Sequence, residues 1–323
     1  MGKVEEHDIV AALKRLASEL GKTPTLRDFL STKFTSRRQI DKYGYNKLVE
    51  QAGLEVNYDP FKHHTLQARA PKILLYDIET SALVTHAWGL FDQNIGLNQI
   101  VQDWFVMSWS AKWLDSDEVF YEDVRKTVKK SDPDKKILQG IHKLLSEADV
   151  VVSYNGDSFD AKKLNARFIK FGMPPVSPYK SIDCLKIARR YFKFTSNKLE
   201  YVAKYLGCVL QKSKHKKYLG HELWKECMGG NLEAFDEMKE YNVLDTKVLE
   251  EVYRKLIPFD NSISFSAFHQ VSTCTCGSTN FVKDGYKYTA KGAFQRYTCK
   301  KCGKVVTDKT NLIHKDIRKE LLA

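Results

Sequence analysis

The sequence predicts a mixed α/β core, preceded by a small helical module and followed by a four-cysteine ribbon. Three observations predict this. Two short, almost continuous apolar runs, 72–79 (KILLYDIE) and 149–154 (DVVVSY), have the length and bounding of buried strands. Stretches with helical spacing of apolar residues lie before, between and after them. Four of the seven cysteines fall near the C-terminus in two close pairs.

Composition narrows the class. Of 323 residues, 43% are hydrophobic, which excludes a disordered chain. No apolar run approaches the roughly 18 residues of a membrane span. The opening MGKVEEHDIV lacks the charged-then-apolar pattern of a secretion signal, so a cytoplasmic protein is expected. The formal net charge of +12 points to a polyanionic partner. That excess is uneven: 259–323 hold 11 basic and 5 acidic residues, so the last fifth of the chain carries half of it. Changes of texture divide the chain into a helical module at 1–56, a linker at 57–71 and a core at 72–258. A Ser-rich linker at 259–272, a ribbon at 273–306 and a basic tail at 307–323 complete it.

In the first module, Ile9, Leu13, Leu16 and Leu20 are at helical spacing and Gly21 is a natural stop. Thr23-Pro24-Thr25 suits a turn and cap before a helix from Leu26 to Leu30, and a third helix is expected over 44–52. Three short helices with basic residues between them fit a helix-turn-helix unit. The string ALKRLASELGKTPTLRDF with SRRQIDKYGYNKLVEQAGLEVN resembles the short helical repeat associated with homing endonucleases. The resemblance implies a DNA-binding accessory, with Arg37, Arg38 and Lys42 on phosphates. The alternative is a helical cap with ordinary solvated charges.

In the core, Asp77 and Glu79 stand two apart at the end of a buried strand, so both side chains point to one face. Such a pair repels unless a cation lies between, and oxygen donors suit magnesium or manganese. The second strand runs into NGDSFD and a helix (AKKLNARFIKFG), offering Asp157 and Asp160 as further acids; the residues alone do not separate them. Asp160 stands where it could cap that helix or meet a metal. A long helix is expected over 231–256, with Met238, Tyr241, Leu249 and Val252 on its apolar stripe. Tyr241 and Asp245 are four apart and share a face. A carboxylate on that face needs a partner, and a metal ion is a good one.

Together these residues resemble the DEDD superfamily of 3′-to-5′ exonucleases, which implies a ribonuclease-H-like mixed sheet flanked by helices. DIET matches the first family motif, with Asp77 and Glu79. Asn155, Phe159 and Asp160 match the second, which favours Asp160 over Asp157. Tyr241 and Asp245 match the tyrosine form of the third; the histidine form would place His where Glu240 stands. The likeness extends to exonuclease domains of family-B DNA polymerases and stand-alone phage relatives, and a phage-encoded protein would work in the bacterial host cytoplasm.

The resemblance implies two-metal-ion hydrolysis, with Asp77, Glu79, Asp160 and Asp245 holding two Mg2+ or Mn2+ ions. Tyr241 would orient the attacking water, since a phenol that titrates near 10 is a poor base at neutral pH. Nucleoside monophosphates would leave from 3′ ends of DNA, preferably single-stranded. Asn155 and Phe159 would contact the terminal nucleotides, though Phe159 could equally serve packing. Asp183, at the start of DCLKIARRYF, is expected to orient other groups or to be structural. Lys212, Lys214, Lys216 and Lys217 lie in an expected loop and could steer the strand, against the default of a solvated loop.

In the ribbon, Cys274 with Cys276 and Cys299 with Cys302 flank 22 residues, which fits one structural zinc ion bound by four cysteines. A glycine follows each pair, and FVKDGYKY and AFQRYTC are expected as a hairpin. The segment resembles zinc ribbons of transposases and related phage proteins. It departs from them in the one-residue spacing of its first pair, which leaves His269 as an alternative ligand. Lys283, Lys287, Lys291 and Arg296, with Tyr286, Tyr288 and Phe294, mix charge and rings as nucleic-acid binders do. The expected partners are single-stranded DNA or DNA 3′ ends, with a separate DNA polymerase or replication protein as a further candidate, and no membrane. Two other readings stay open: an exoribonuclease, and a nucleic-acid-binding recruitment protein that no longer cuts.

Overall fold

The computed structural model describes residues 4–56, 68–210 and 217–321. The chain divides into two compact units, Met1–Gln67 and Ala68–Ala323.

The first unit is helical. Helix α1 (Glu6–Leu20) stops at Gly21, whose φ of +64° is one that L side chains rarely adopt. Thr25 caps α2 (Leu26–Ser31): its Oγ1 accepts from the Asp28 N–H, and Asp28 Oδ2 accepts from the Thr25 N–H. Helices α3 (Arg37–Tyr43) and α4 (Tyr45–Gln51) follow. Ile9, Leu13, Phe29, Ile40 and Leu48 form the core. The structure has four helices where the sequence suggested three. RRQIDKY is short and buries only Ile40, so it shows no apolar stripe. Arg37, Arg38 and Lys42 all lie on that extra helix and are exposed, with Arg37 paired to Asp41. Leu20, expected on the apolar face, is exposed.

The second unit is built on a mixed sheet. Strand β1 (Ile73–Thr80) leads into a small two-stranded sheet of β2 (Val84–Thr85) and β3 (Ile100–Gln102). The loop between these presents Trp88 and Phe91 almost fully to solvent. Strands β4 (Val106–Trp113) and β5 (Phe120–Asp123), helix α5 (Ile137–Glu147), strand β6 (Val150–Ser153), helix α6 (Asp160–Lys170) and strand β7 (Lys180–Asp183) follow. The sheet order is β5-β4-β1-β6-β7, in which β4 alone runs opposite to the other four strands. Helices α7 (Cys184–Tyr191), α8 (Leu199–Tyr205), α9 (Glu222–Gly229) and α10 (Leu232–Leu256) complete the layers.

Strand parity explains both the continuous apolar run and the placement of the acids. Leu74, Tyr76 and Ile78 enter one core, with Ile141 of α5 and Leu164 and Phe168 of α6. Ile73 and Leu75 enter the other, with Ile187 of α7, Val202 of α8 and Val248, Leu249 and Val252 of α10. A strand covered on both faces needs no polar alternation. The same period of two carries Asp77 and Glu79 onto the face of Ile73 and Leu75, beneath α10.

Beyond α10 come α11 (Ser266–His269), strands β8 (Phe281–Thr289), β9 (Gly292–Cys299) and β10 (Val305–Thr307), and α12 (Lys315–Glu320). The hairpin of β8 and β9 is antiparallel, and β10 adds a third strand against β9. Thr275 Oγ1 donates to Ile257 O and Lys304 Nζ donates to Asp260 O, tying this sheet to the end of α10. Among the described residues no helix is long and apolar enough to cross a membrane.

Candidate functional site

Asp77 and Glu79 from β1 and Asp245 from α10 each offer a carboxylate oxygen, and these lie within 4.8 Å of one another. Asp245 is buried, while the two strand acids are half-buried. Three acids this close demand positive charge, and an all-oxygen donor set suits Mg2+ or Mn2+. Asp160 stands outside this trio but touches its backbone: Oδ1 accepts from the Ile78 N–H at 3.2 Å. Burial pushes the Asp160 carboxyl up to about 7. A divalent cation beside it would restore the ionised form, so the residues present fit a metal centre.

The rotation of α10 that delivers Asp245 is fixed by a polar ladder. Asp77, Glu79 and Leu75 face Ser110, Ser108 and Lys112 across the β1–β4 pairing. Those three residues meet Asn242, Thr246 and Glu250, one per helical turn. Ser108 Oγ donates to Asn242 Oδ1 at 3.3 Å and Ser110 Oγ to Asn242 O at 2.8 Å. Ser110 and Thr246 share a hydroxyl contact, and Lys112 pairs with Glu250. Asn242 then donates through Nδ2 to Asp77 Oδ2 at 2.6 Å. Sequence reading missed Asn242, although the signal was present: it occupies an apolar phase of the buried stripe that runs through Phe235, Met238, Leu249 and Val252.

The loop after β6 separates the two acids that sequence left open. Asp157 points to Lys186, at 2.6 Å, and to Ser181, whereas Asp160 turns inward to β1. Asn155 takes a left-handed φ of +70°. Asp183 Oδ1 holds it by accepting from the Asn155 N–H at 2.8 Å and caps α7 by accepting from Leu185 at 3.0 Å. Asp183 thus orients the loop. Gly156 is required by space: an added Cβ would sit 2.2 Å from Ser153 Oγ and 2.5 Å from Ser153 Cβ. Phe159 is partly exposed just before α6.

Tyr241 lies one turn before Asp245, its ring edge-on to Trp224 with centroids 5.9 Å apart. Lys217 is exposed and forms an ion pair with Glu233 at 2.5 Å. Lys212, Lys214 and Lys216 lie outside the described residues.

The four cysteine sulfurs also converge within 4.8 Å. Cys274 Sγ lies 3.6 Å from Cys302 Sγ, and Cys276 Sγ 3.7 Å from Cys299 Sγ. Four Zn–S bonds of about 2.3 Å in a tetrahedron give edges of about 3.8 Å, so the set fits zinc despite the short first spacing. Burial opposes thiolate formation at Cys299, but hydrogen bonds from the Cys302 and Lys301 N–H groups, with those from Cys276 and Ser278, together bring that thiol down to about 6. His269 is not among the four converging groups. Gly277 and Gly303, after each pair, have φ of +84° and +74°. Strand β8 is exposed along nearly its whole length, including Lys283, Tyr286, Lys287 and Tyr288.

A mixed five-stranded sheet with acids at the end of its central strand and a facing acid from a long helix defines an α/β fold of the ribonuclease-H-like kind. The chain belongs to the RNase H superfamily, whose family model matches residues 74–257. Residues 4–55 match the homing endonuclease associated repeat. Among solved structures, the family B DNA polymerase from the hyperthermophilic archaeon Pyrobaculum calidifontis is similar over 59% of this chain and 25% of its own. Its identity is 19% and its TM-score 0.45. The comparison with curated proteins gave no match.

Proposed function

We propose that the protein is a metal-dependent 3′-to-5′ exonuclease that releases nucleoside monophosphates from single-stranded DNA ends. The observation that carries this reading is the convergence of Asp77, Glu79 and Asp245, with Asp160 against the same strand. Membership of the RNase H superfamily supports a nuclease.

In this reading Asp77, Glu79, Asp160 and Asp245 hold two Mg2+ or Mn2+ ions. When bound, the ions supply positive charge to the scissile phosphate, the attacking water and the leaving 3′ oxygen. Asn242 fixes the Asp77 carboxylate so that it is preorganised toward the cations. Tyr241, steadied by Trp224, presents its hydroxyl to orient the water. Asn155 and Phe159 border the site from the β6 loop and contact the terminal nucleotide. The exposed basic and aromatic face of β8, and Arg37, Arg38 and Lys42 of α3, bring nucleic acid to the enzyme. Zinc held by Cys274, Cys276, Cys299 and Cys302 would maintain the β8–β9 hairpin. We retain 72–258 as the exonuclease domain and 273–306 as the ribbon.

The direction and sugar are tested with single-stranded oligomers labelled at the 5′ end, with the 3′ hydroxyl free or blocked, in DNA and RNA versions with Mg2+. Stepwise shortening of the free-ended DNA alone is expected. Cleavage independent of the 3′ end overturns the exonuclease reading, and preference for RNA overturns the substrate.

A further inference from the structure

Helix α6 carries a second functional side chain besides Asp160. Lys163 lies three residues on, so the two share a face. Its Nζ stands 3.6 Å from the centre of the Trp104 ring and 5.6 Å from that of Phe159. Among the described residues no carboxylate comes within ion-pair distance of it, and the acid whose charge reaches it is Asp103. This contrasts with Arg167, one turn further along α6, whose charge is closed off by a bidentate pair with buried Asp134. Burial lowers the Lys163 pKa from its ordinary value, with Asp103 opposing. The ammonium is thus partly stripped of water and held by rings, so it gains more from an incoming anion than a solvated lysine would.

Trp104 is placed as firmly. Its backbone N–H donates to Asp103 Oδ1 at 2.8 Å. The next residue, Phe105, exchanges hydrogen bonds with Ser81: its N–H donates to Ser81 Oγ and its carbonyl accepts from the Ser81 N–H, both at 2.9 Å. Ser81 is two residues past Glu79, so the backbone that carries Trp104 is tied to the chain just beyond β1. The ring is only half-buried. Phe159, Lys163 and Trp104 therefore form a ring–cation–ring array against the helix whose first residue is Asp160. Rings with a cation between them match the alternation of bases and phosphates along a single strand.

We propose that Trp104 and Lys163 form a strand-binding seat for single-stranded DNA, with Lys163 on a backbone phosphate and Trp104 stacked on a base. This seat deepens the exonuclease reading and rests on it. It supplies affinity for the strand next to the scissile bond, whereas the carboxylates supply the chemistry.

The test measures binding of a fluorescent single-stranded DNA oligomer to the full chain with its zinc retained and no Mg2+ or Mn2+ added, across a range of KCl concentrations. Each phosphate contact to a single strand contributes about 0.7 to the slope of log affinity against log salt. Lys163→Gln is expected to reduce that slope by about 0.7, and Lys163→Arg to restore it. Trp104→Ala is expected to weaken binding roughly 5- to 100-fold at every salt concentration without changing the slope, with Trp104→Phe intermediate. With Mg2+ added, the loss in kcat/KM should be carried mainly by KM. A purely packing role for the lysine would leave the slope unchanged, and unchanged slope with unchanged affinity in both substitutions overturns the proposal. If Trp104→Ala does not fold, the Lys163 pair decides the outcome. Wild-type cleavage with unaffected variants removes this seat and leaves the nuclease; salt-dependent binding through Lys163 without cleavage does the reverse.

Discussion

Asn242 and Asp77 are 165 residues apart in the chain, and the amide of one donates to the carboxylate of the other at 2.6 Å. Asn242 is fully buried and anchored on the other side by Ser108. One amide therefore links the long helix, the antiparallel strand and the first carboxylate of the acid cluster. Asn242→Ala should weaken divalent-ion binding about 10- to 100-fold, as loss of groups that orient metal ligands generally does. Calorimetric titration with Mn2+ checks this apart from turnover. Affinity equal to wild type would show that Asp77 needs no such support.

The buried pair Arg167–Asp134 should hold α6 in place. Arg167 Nε and Nη2 donate to Asp134 at 2.7 and 2.6 Å, and Asp134 Oδ2 also accepts from the Val106 N–H at 3.0 Å. Replacing one partner strands the other charge in the interior. Arg167→Met is expected to destabilise the protein by about 3–5 kcal/mol. Urea denaturation measures it; a change below about 1 kcal/mol would mean the charge is relieved elsewhere.

Gly156→Ala should disturb the loop that carries Asn155 and Asp160. The new methyl would collide with the Ser153 side chain, so the loop must move. Overpacking of this kind costs about 1–3 kcal/mol. The double substitution Gly156→Ala with Ser153→Gly removes the colliding atoms and should recover part of the stability and activity. No recovery would place the constraint in the backbone rather than at Ser153.

Zinc should be present at one ion per chain and leave with a strong chelator. The small sheet of β8, β9 and β10 buries little apolar surface of its own, so on chelation amide protection there should fall while protection across β1, β4 and β6 persists. Cys302→Ser should mimic the chelator. Metal analysis finding no zinc in the purified chain would contradict the thiolate assignment.

What the sequence disclosed follows from which signals are local. Asp77 and Glu79 were readable because strand parity and the apolar run before them are contiguous. Asp245 needed its spacing to Tyr241, and its phase on a 25-residue helix confirms the shared face. Helix α3 escaped because seven mostly polar residues carry too little periodicity. Asn242 stood at a readable buried phase of its helix, but its match to Ser108 and Ser110 joins strand and helix repeats through space and is visible only once β4 lies under α10. Lys163 and Trp104 are likewise distant in sequence and meet only in the fold. The four cysteines, paired by local spacing, were legible together; the structure adds that a one-residue first spacing still lets all four sulfurs converge.

The carboxylate cluster of β1 and α10 is proposed to bind metal and cut DNA. The most direct measurement compares wild type with Asp77→Ala/Glu79→Ala on 5′-labelled single-stranded DNA, with and without Mg2+, alongside thermal unfolding in both conditions. Relief of the clustered like charges should offset the loss of the Asn242–Asp77 hydrogen bond, so the double variant should stay folded without metal. Mg2+-dependent shortening from the 3′ end and Mg2+-dependent stabilisation are expected in wild type. Both should vanish in the folded double variant. Wild-type-like cleavage by that variant, or intact substrate with the wild-type protein in Mg2+ and Mn2+, would contradict it.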